Sequence, residues 1–186
     1  MTPTNSHIED LLEQCKSGNQ HAQMEVYNRY YKAMYNTSFR IVKDSFKAED
    51  IMQESFLTAF RKLETLKESS MFGSWLKRIV INNSIYDYHK AQKSNTVSLE
   101  DVMYKIEDDQ NEPNDNEWTH LRATEVIKCM KSLKDNYQII LNLSLIEGYD
   151  YEEISEIMNI SYANCRTMIS RAKESLKQKL KPVEGF

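Results

Sequence analysis

The side chains with the clearest chemistry lie between residues 162 and 173, where they could form hydrogen bonds to the edges of DNA bases. Arginine can pair with a guanine edge or a phosphate, and threonine and serine hydroxyls can donate to either. These residues are Tyr162, Arg166, Thr167, Ser170, Arg171 and Lys173. The apolar positions between them recur at helical steps, which leaves the polar ones outward. We predict a DNA-recognition helix; the alternative is an ordinary helical hairpin with a solvated basic face.

The residues just before this helix would hold it in place. Asp150 and Glu153 have the spacing of a capping box, and apolar residues follow at three- and four-residue steps. Asn159 can adopt the left-handed conformation that ends a helix, and Ser161 can cap the next one. The pattern over 150–173 therefore predicts a helix-turn-helix.

A second polar cluster lies on a helix predicted from Asp44 or Ser45 to about residue 63. Asp50, Gln53 and Glu54 are i, i+3 and i+4 neighbours, so they share one face. Paired carboxylates could do acid–base chemistry, but the pattern places no histidine or metal ligand beside them. We predict a solvated or protein-binding face.

The helix predicted over 72–91 mixes cations, amides and aromatic rings. The residues are Lys77, Arg78, Asn82, Tyr86, His89 and Lys90. Cations suit phosphates, while rings and amides suit unstacked bases, so this helix could bind single-stranded nucleic acid. A plain amphipathic helix remains the alternative.

A tyrosine-rich stripe marks the helix predicted over 20–42. Its residues are Met24, Tyr27, Tyr31, Met34, Tyr35, Ser38 and Val42. Such rings could stack on bases, but at helical spacing we predict that the stripe faces the core.

Composition and charge favour a helical protein in two parts. The 186 residues include only 4 Gly and 3 Pro, and the formal net charge of −4 argues against indiscriminate coating of nucleic acid. Basic residues concentrate in 166–181 and acidic ones in 100–117. We predict an all-α fold of two small helical domains, residues 1–92 and 117–186, joined by an acidic linker at 93–116.

Several kinds of site are not indicated. Cys15, Cys129 and Cys165 are scattered and form no CxxC or Cys/His pattern, so we expect neither disulfides nor a metal. No nucleophile–base pair or phosphate loop is visible, so we expect no enzyme and no cofactor. Without a signal peptide or a long apolar run, we expect a soluble, cytoplasmic protein that does not insert into membranes.

Three stretches together resemble an extracytoplasmic-function sigma factor of bacterial RNA polymerase. They are AEDIMQESFLTAF at 48–60, MFGSWLKRIVINN at 71–83 and EGYDYEEISEIMNISYANCRTMISRAKESLKQKL at 147–180. Their order and spacing also fit, so the resemblance covers nearly the whole chain. It implies a two-domain, all-α factor that binds core RNA polymerase, recognises the −35 and −10 promoter elements and initiates transcription.

The resemblance also implies roles for individual residues. It implies a polymerase-docking face on the β′ clamp, formed by Asp50, Gln53, Glu54 and Phe56. It implies that the −10 element is melted and bound by the loop 63–71 and the following helix, through Leu66, Lys67, Ser70, Met71, Lys77, Arg78, Asn82 and Lys90. It assigns the −35 element to the recognition helix. Further partners implied are the β flap and an anti-sigma protein.

Two other classes of function fit parts of the pattern. A stand-alone helix-turn-helix regulator would bind a two-fold-symmetric duplex without polymerase. A helical adaptor would bind only protein and would contact no nucleic acid. A gel shift with and without core polymerase separates these three hypotheses.

Overall fold

The computed structural model describes residues 7–93 and 117–180, with side chains in the second segment from residue 123 onward. The chain divides into two units, Met1–Thr96 and Val97–Phe186. Within these described ranges every regular element is helical and no strand occurs, which confirms the predicted all-α class. The acidic linker predicted at 93–116 lies, apart from Lys93, outside the described residues. The domain boundaries on either side of it stay a prediction.

Four helices build the N-terminal unit. They are α1 (Ile8–Lys16), α2 (Gln20–Val42), α3 (Ser45–Arg61) and α4 (Phe72–Lys93), with 3-10 turns at Leu63–Thr65 and Ser69–Met71. Helices α2, α3 and α4 pack against one another, and α1 packs against α2 and both 3-10 turns. Leu12, Val26, Phe56 and Leu76 contribute one fully buried side chain from each helix to a single core.

Short polar side chains mark where α2 and α3 begin. Asn19 Oδ1 accepts hydrogen bonds from the backbone N–H groups of His21 and Ala22, at 3.0 and 3.2 Å. Asp44 Oδ1 accepts one from Lys47 N–H at 3.0 Å. These bonds satisfy donors that the first helical turn leaves unpaired. Of the two caps proposed for α3, Asp44 is therefore the one that the structure uses.

The prediction for the tyrosine-rich stripe of α2 is wrong for part of its length. Met34 and Ser38 are buried as predicted, but Met24 and Tyr31 are 58% and 44% exposed, and α2 instead buries Ala22 and Thr37. Small side chains allow α3 and α4 to approach α2 closely. Tyr27 and Tyr31 stack on each other with ring centroids 5.8 Å apart. An aromatic body with a polar tip suits such a position, half in the core and half in water.

The described part of the C-terminal unit, residues 117–180, forms four helices and a π-helical turn. They are α5 (Glu117–Lys131), α6 (Asp135–Leu141), the turn Asn142–Ile146, α7 (Tyr151–Met158) and α8 (Tyr162–Leu180). Helix α8 packs against α5, α6 and α7. Its buried residues Cys165, Ile169, Ala172 and Leu176 occupy one face at three- and four-residue steps. The side of α8 opposite these buried residues is therefore exposed to solvent.

The predicted helix-turn-helix is formed by α7 and α8. Asp150 Oδ1 accepts from Glu153 N–H at 2.8 Å, and Glu153 Oε2 accepts from Asp150 N–H at 3.0 Å, which completes the capping box. Asn159 ends α7 in the left-handed conformation at φ 52°. Ser161 Oγ accepts from Asn164 N–H at 3.2 Å. These local hydrogen bonds fix the turn between α7 and α8, and the turn determines the direction of α8.

Replacing Asp150 tests how far that capping box supports the unit. We expect Asp150→Ala to destabilise α7 by about 1 kcal/mol, because the Glu153 N–H loses the side-chain oxygen that accepts from it. Asp150→Asn is the matched control and should stay within a few tenths of a kcal/mol. Hydrogen exchange of the α7 amides in the full-length protein measures the difference. Equal protection in the alanine and asparagine variants would contradict the assigned role.

The cysteines do not form a reactive site. Burial raises the pKa of the Cys15 thiol to about 11 and also raises that of Cys165, so both stay protonated near neutral pH. In the described segments no group of three His, Cys, Asp or Glu side chains is placed to hold a metal ion. The helices of the same segments include none with the length and apolarity needed to cross a bilayer.

Candidate nucleic-acid and protein interfaces

The outward side of α8 presents every residue that the sequence assigned to DNA recognition. All six are exposed: Tyr162, Arg166, Thr167, Ser170, Arg171 and Lys173. Tyr162 is 49% exposed at the start of the helix, and its ring contacts that of Tyr151 at 6.3 Å. The contact joins the first turn of α8 to the first turn of α7. A helix held in this way can enter a DNA major groove with its N-terminal half.

Two side chains limit what this surface can recognise. Thr167 Oγ1 donates to Ala163 O at 2.9 Å, so its hydroxyl is left to accept a hydrogen bond and its methyl group to make apolar contacts. Glu174 is exposed and lies three residues after Arg171 on the same side. Its carboxylate would repel phosphates near the second half of the helix. The strongest donors are therefore Arg166 and Arg171.

The loop at residues 63–71 is here called the −10 loop, because the resemblance assigns it to the −10 element. It has a buried side chain at each end. Leu63 and Phe72 are 1% and 0% exposed, and the Phe72 ring meets that of Tyr30 edge-on at 5.3 Å. Between these anchors, Leu66 is half-buried against the core. The remaining predicted loop residues are exposed: Lys67, Ser70 and Met71. Because α1 packs against both 3-10 turns, the loop rests on a folded support.

Helix α4 brings only some of its predicted site residues together. Arg78 and Asn82 are four residues apart and lie about 40° apart round the helix, whereas Lys90 lies about 80° further round. Asn82 and Lys90 are exposed and Arg78 is half-buried. Lys77 precedes Asn82 by five residues, about 140° round the helix in the other direction. Arg78 and Asn82 therefore share a side of α4, and the two lysines lie on other sides.

The two adjacent asparagines of α4 have different environments. Asn83 Nδ2 donates to Ser55 Oγ of α3 at 2.9 Å, and Ser84 Oγ donates to Ser38 Oγ of α2 at 2.9 Å. Asn82 is exposed. Asn83 thus holds α4 in place, while Asn82 is available to a ligand.

Helix α3 exposes three of the four residues predicted for the docking face and buries the fourth. Asp50, Gln53 and Glu54 are exposed. Phe56 is 2% exposed and contacts the Tyr27 ring at 4.8 Å, so it cannot touch a protein partner. Phe56 lies on the core side of α3 and supports the docking face from beneath. The prediction that it belongs to the contact surface is wrong.

A shallow groove between α3 and α4 contains Asp87, which no predicted site included. Tyr86 and Asp87 face Asp50 and Glu54 across it. Tyr86, one of the α4 residues that the sequence offered for binding single-stranded nucleic acid, is 72% exposed. Asp87 is 3.8 Å from Lys47 of α3. Only the packing of the two helices reveals that pairing.

Comparison with known proteins agrees with this arrangement of surfaces. The family model "Sigma-70 region 2" matches residues 26–95, and "Sigma-70, region 4" matches residues 123–176. The ECF RNA polymerase sigma factor SigW of Bacillus subtilis is 28% identical over 183 residues, which cover 94% of this chain and 97% of that protein. The ECF RNA polymerase sigma-E factor of Haemophilus influenzae is 28% identical, with 93% of this chain and 95% of that protein covered.

A solved structure shows the same fold. It is the sigma factor RpoE in complex with the anti-sigma factor NepR from Bartonella quintana, with a TM-score of 0.57 and 22% identity over 85% of this chain and 96% of that one. The two family models fall on the two helical units, and the relatives align over almost their whole length. The chain belongs to the sigma-70 family of RNA polymerase sigma factors, within its extracytoplasmic-function (ECF) subfamily.

Proposed function

We propose that this protein binds core RNA polymerase, directs it to promoters through the −35 and −10 elements, and so initiates transcription. The observation that carries this function is the exposed row of donors on α8, held by a complete helix-turn-helix in a chain matched by both sigma-70 models. The protein performs no chemistry itself, because bond formation belongs to the polymerase. We place it in the cytoplasm, where that enzyme works.

The −35 element is bound by α8. Arg166 and Arg171 flank the outward side of the helix, and Ser170 lies between them at helical spacing. Arginine recognises guanine through two parallel hydrogen bonds or holds a phosphate, and the hydroxyl of Ser170 can serve either. Tyr162 and Lys173 lie at the margins, where contacts with the DNA backbone fix the register.

The −10 element is bound by the N-terminal unit. Extruding a base from the stack costs a few kcal/mol, and a prepared pocket offsets that cost. The −10 loop and Asn82 would form this pocket, because the loop is anchored by Leu63 and Phe72 while Asn82 is exposed. Arg78, on the same side of α4 as Asn82, would hold an adjacent phosphate, and Lys90 would hold one further round the helix. Lys77 is less suited to this role, since it lies about 140° from Asn82.

Substituting each of the two adjacent asparagines distinguishes base binding from packing. We expect Asn82→Ala to weaken promoter melting about fivefold, the loss of one hydrogen-bonding amide, with unfolding unchanged. Asn83→Ala should instead lower the free energy of unfolding by about 1 kcal/mol, because the hydrogen bond from Asn83 on α4 to Ser55 on α3 is lost. Permanganate reactivity of unpaired thymines measures melting, and urea unfolding measures stability. If Asn82→Ala melts promoters normally, Asn82 does not hold the base.

Docking on polymerase uses the exposed side of α3. Asp50, Gln53 and Glu54 offer carboxylate and amide groups to a basic helical surface, which the resemblance identifies as the β′ clamp. The C-terminal unit would meet the β flap. An anti-sigma protein that covers any of these surfaces would silence the factor by mass action, since the two binding equilibria compete.

Run-off transcription tests the whole proposal. Core polymerase with and without the full-length protein is supplied with duplex templates that carry randomised −35 and −10 segments. We expect discrete transcripts only when the protein is present, and sequencing them identifies both elements. A gel shift of the same templates should show no tight, two-fold-symmetric binding without polymerase. Failure to produce transcripts above the core-only background from any template would refute the proposed function.

A further inference from the structure

The third residue of α8 belongs to none of the sites described above. Asn164 is exposed, and its backbone N–H donates to Ser161 Oγ, which fixes the first turn of the helix. At the same position of α7, the Glu153 side chain accepts a hydrogen bond from the Asp150 backbone. The Asn164 side chain makes no such bond, nor any other hydrogen bond to a residue that the structure describes. Its carboxamide is therefore available to a ligand.

Helical spacing places Asn164 in line with Arg171. Seven residues make nearly two turns, so the two positions lie within about 20° of each other round the helix and about 10 Å apart along its axis. Thr167 lies between them, within about 60° of each. All three avoid the side on which Cys165 and Ile169 are buried. Asn164 also lies in the N-terminal half of α8, the half that a recognition helix inserts into the major groove.

The side chains along this line differ in the base edges that they can bind. An asparagine carboxamide pairs with adenine through two hydrogen bonds, donating to N7 and accepting from the N6 amino group. A phosphate has only acceptors, so it would use the donor of the carboxamide and leave the oxygen without a partner. The Thr167 hydroxyl already donates to Ala163 O, so its methyl group is left for the methyl group of thymine. Asn164 is thus the residue of this line that suits an adenine.

We propose that Asn164 is a specificity-determining residue, which recognises one adenine of the −35 element. Because α8 advances about 10 Å between Asn164 and Arg171, and base pairs are stacked about 3.4 Å apart, this adenine lies about three base pairs from the base pair at Arg171. The inference rests on the proposed function. It adds to that function the base, the edge of the base and the residue that selects it.

Binding of the holoenzyme to duplexes tests the assignment. Each base pair of the −35 element is changed in turn, and each adenine is separately replaced by 7-deazaadenine, which lacks the N7 acceptor. We expect the unaltered protein to lose about tenfold in affinity when one particular A·T pair is changed, and severalfold with 7-deazaadenine there. Asn164→Ala should bind the natural element about tenfold more weakly and should no longer distinguish bases at that pair. Preferences at the other pairs should persist.

Gln178→Ala is the matched control. Gln178 is a second exposed carboxamide of α8, but it lies fourteen residues, or about 21 Å, further along the helix. This variant should bind within about twofold of the unaltered protein, with every base preference intact. Circular dichroism should show no loss of melting temperature for Asn164→Ala, because alanine has the higher helix propensity. A merely structural role of Asn164 would leave the pattern of base preferences unchanged.

The contrary outcomes separate the adenine contact from the proposed function. Equal weakening of Asn164→Ala on every duplex would assign Asn164 to a phosphate, and unchanged binding would remove it from the interface. A preference lost at a pair other than A·T, or lost equally with Gln178→Ala, would also overturn the inference. In all these cases the unaltered protein still directs polymerase to the element, so the proposed function stands. If the unaltered protein with core polymerase binds no element, both fail.

Discussion

Asp50→Lys combined with Glu54→Lys should abolish binding to core polymerase, with a loss of affinity of about a hundredfold or more, while the helical fold persists. Both carboxylates are exposed on α3, so their replacement leaves the core intact. Each substitution places a lysine where a carboxylate faced the basic surface of the polymerase. Each such contact between like charges costs several kcal/mol of binding free energy. Association kinetics with labelled core polymerase measure the loss. Circular dichroism checks that the variant remains folded.

A matched charge reversal on α1 separates the docking face from bulk electrostatics. Glu9→Lys with Glu13→Lys has the same i, i+4 spacing and raises the formal net charge by the same amount, from −4 to 0. Glu13 forms an ion pair with Lys16 at 2.6 Å, but an exposed pair of this kind contributes little to stability. This variant should bind polymerase almost normally. Holoenzyme formation by the α3 variant, or equal loss by the α1 variant, would dismiss the docking face.

The second large effect is expected at the recognition helix. Arg171→Ala should weaken binding of the holoenzyme to the −35 element by about 1–3 kcal/mol, or roughly 5- to 150-fold. Arg171 is exposed on α8, so the substitution removes a donor without opening a cavity. Binding is measured at one fixed salt concentration, because contacts with phosphates depend steeply on salt. An affinity equal to that of the unaltered protein would contradict the assigned orientation of α8.

Two further variants distinguish base recognition from phosphate contact at this position. Arg171→Lys keeps the charge but loses the planar pair of donors, so it should bind poorly only if Arg171 recognises a base edge. Lys177→Ala removes one cation from the exposed side of the same helix, nearly two turns further on. It should lower affinity uniformly across promoter sequences and reduce the salt dependence by about one unit.

The buried polar contacts explain why α4 can combine structural and binding roles. Ser84 is 0% exposed and joins α4 to α2, and Asn83 joins α4 to α3. A buried polar group left without a partner costs about 1–3 kcal/mol, so these bonds penalise rotation of α4 about its axis. Rotation would move Asn82 from the side on which it is exposed. Asn83 thus fixes the orientation of α4, and this orientation leaves Asn82 exposed.

Local chemistry was enough to predict the helix-turn-helix. The capping box at Asp150, the left-handed Asn159 and the Ser161 cap involve residues no more than three positions apart, so short-range rules predict them. The inward face of α8 also follows from helical spacing, because its apolar residues recur at three- and four-residue steps. For the same reason the sequence placed Asp50, Gln53 and Glu54 together.

Packing between helices decided what periodicity could not. Helical spacing predicted one stripe of α2 for the core, and only packing against the neighbouring helices selects Ala22 and Thr37 over Met24 and Tyr31. The same contacts between helices bury Phe56, leave Phe46 exposed and bring Asn83 within hydrogen-bonding distance of Ser55. Spacing along one helix reports which residues share a side. Which side is covered depends on neighbours far away in the chain, and that is decided by the tertiary structure.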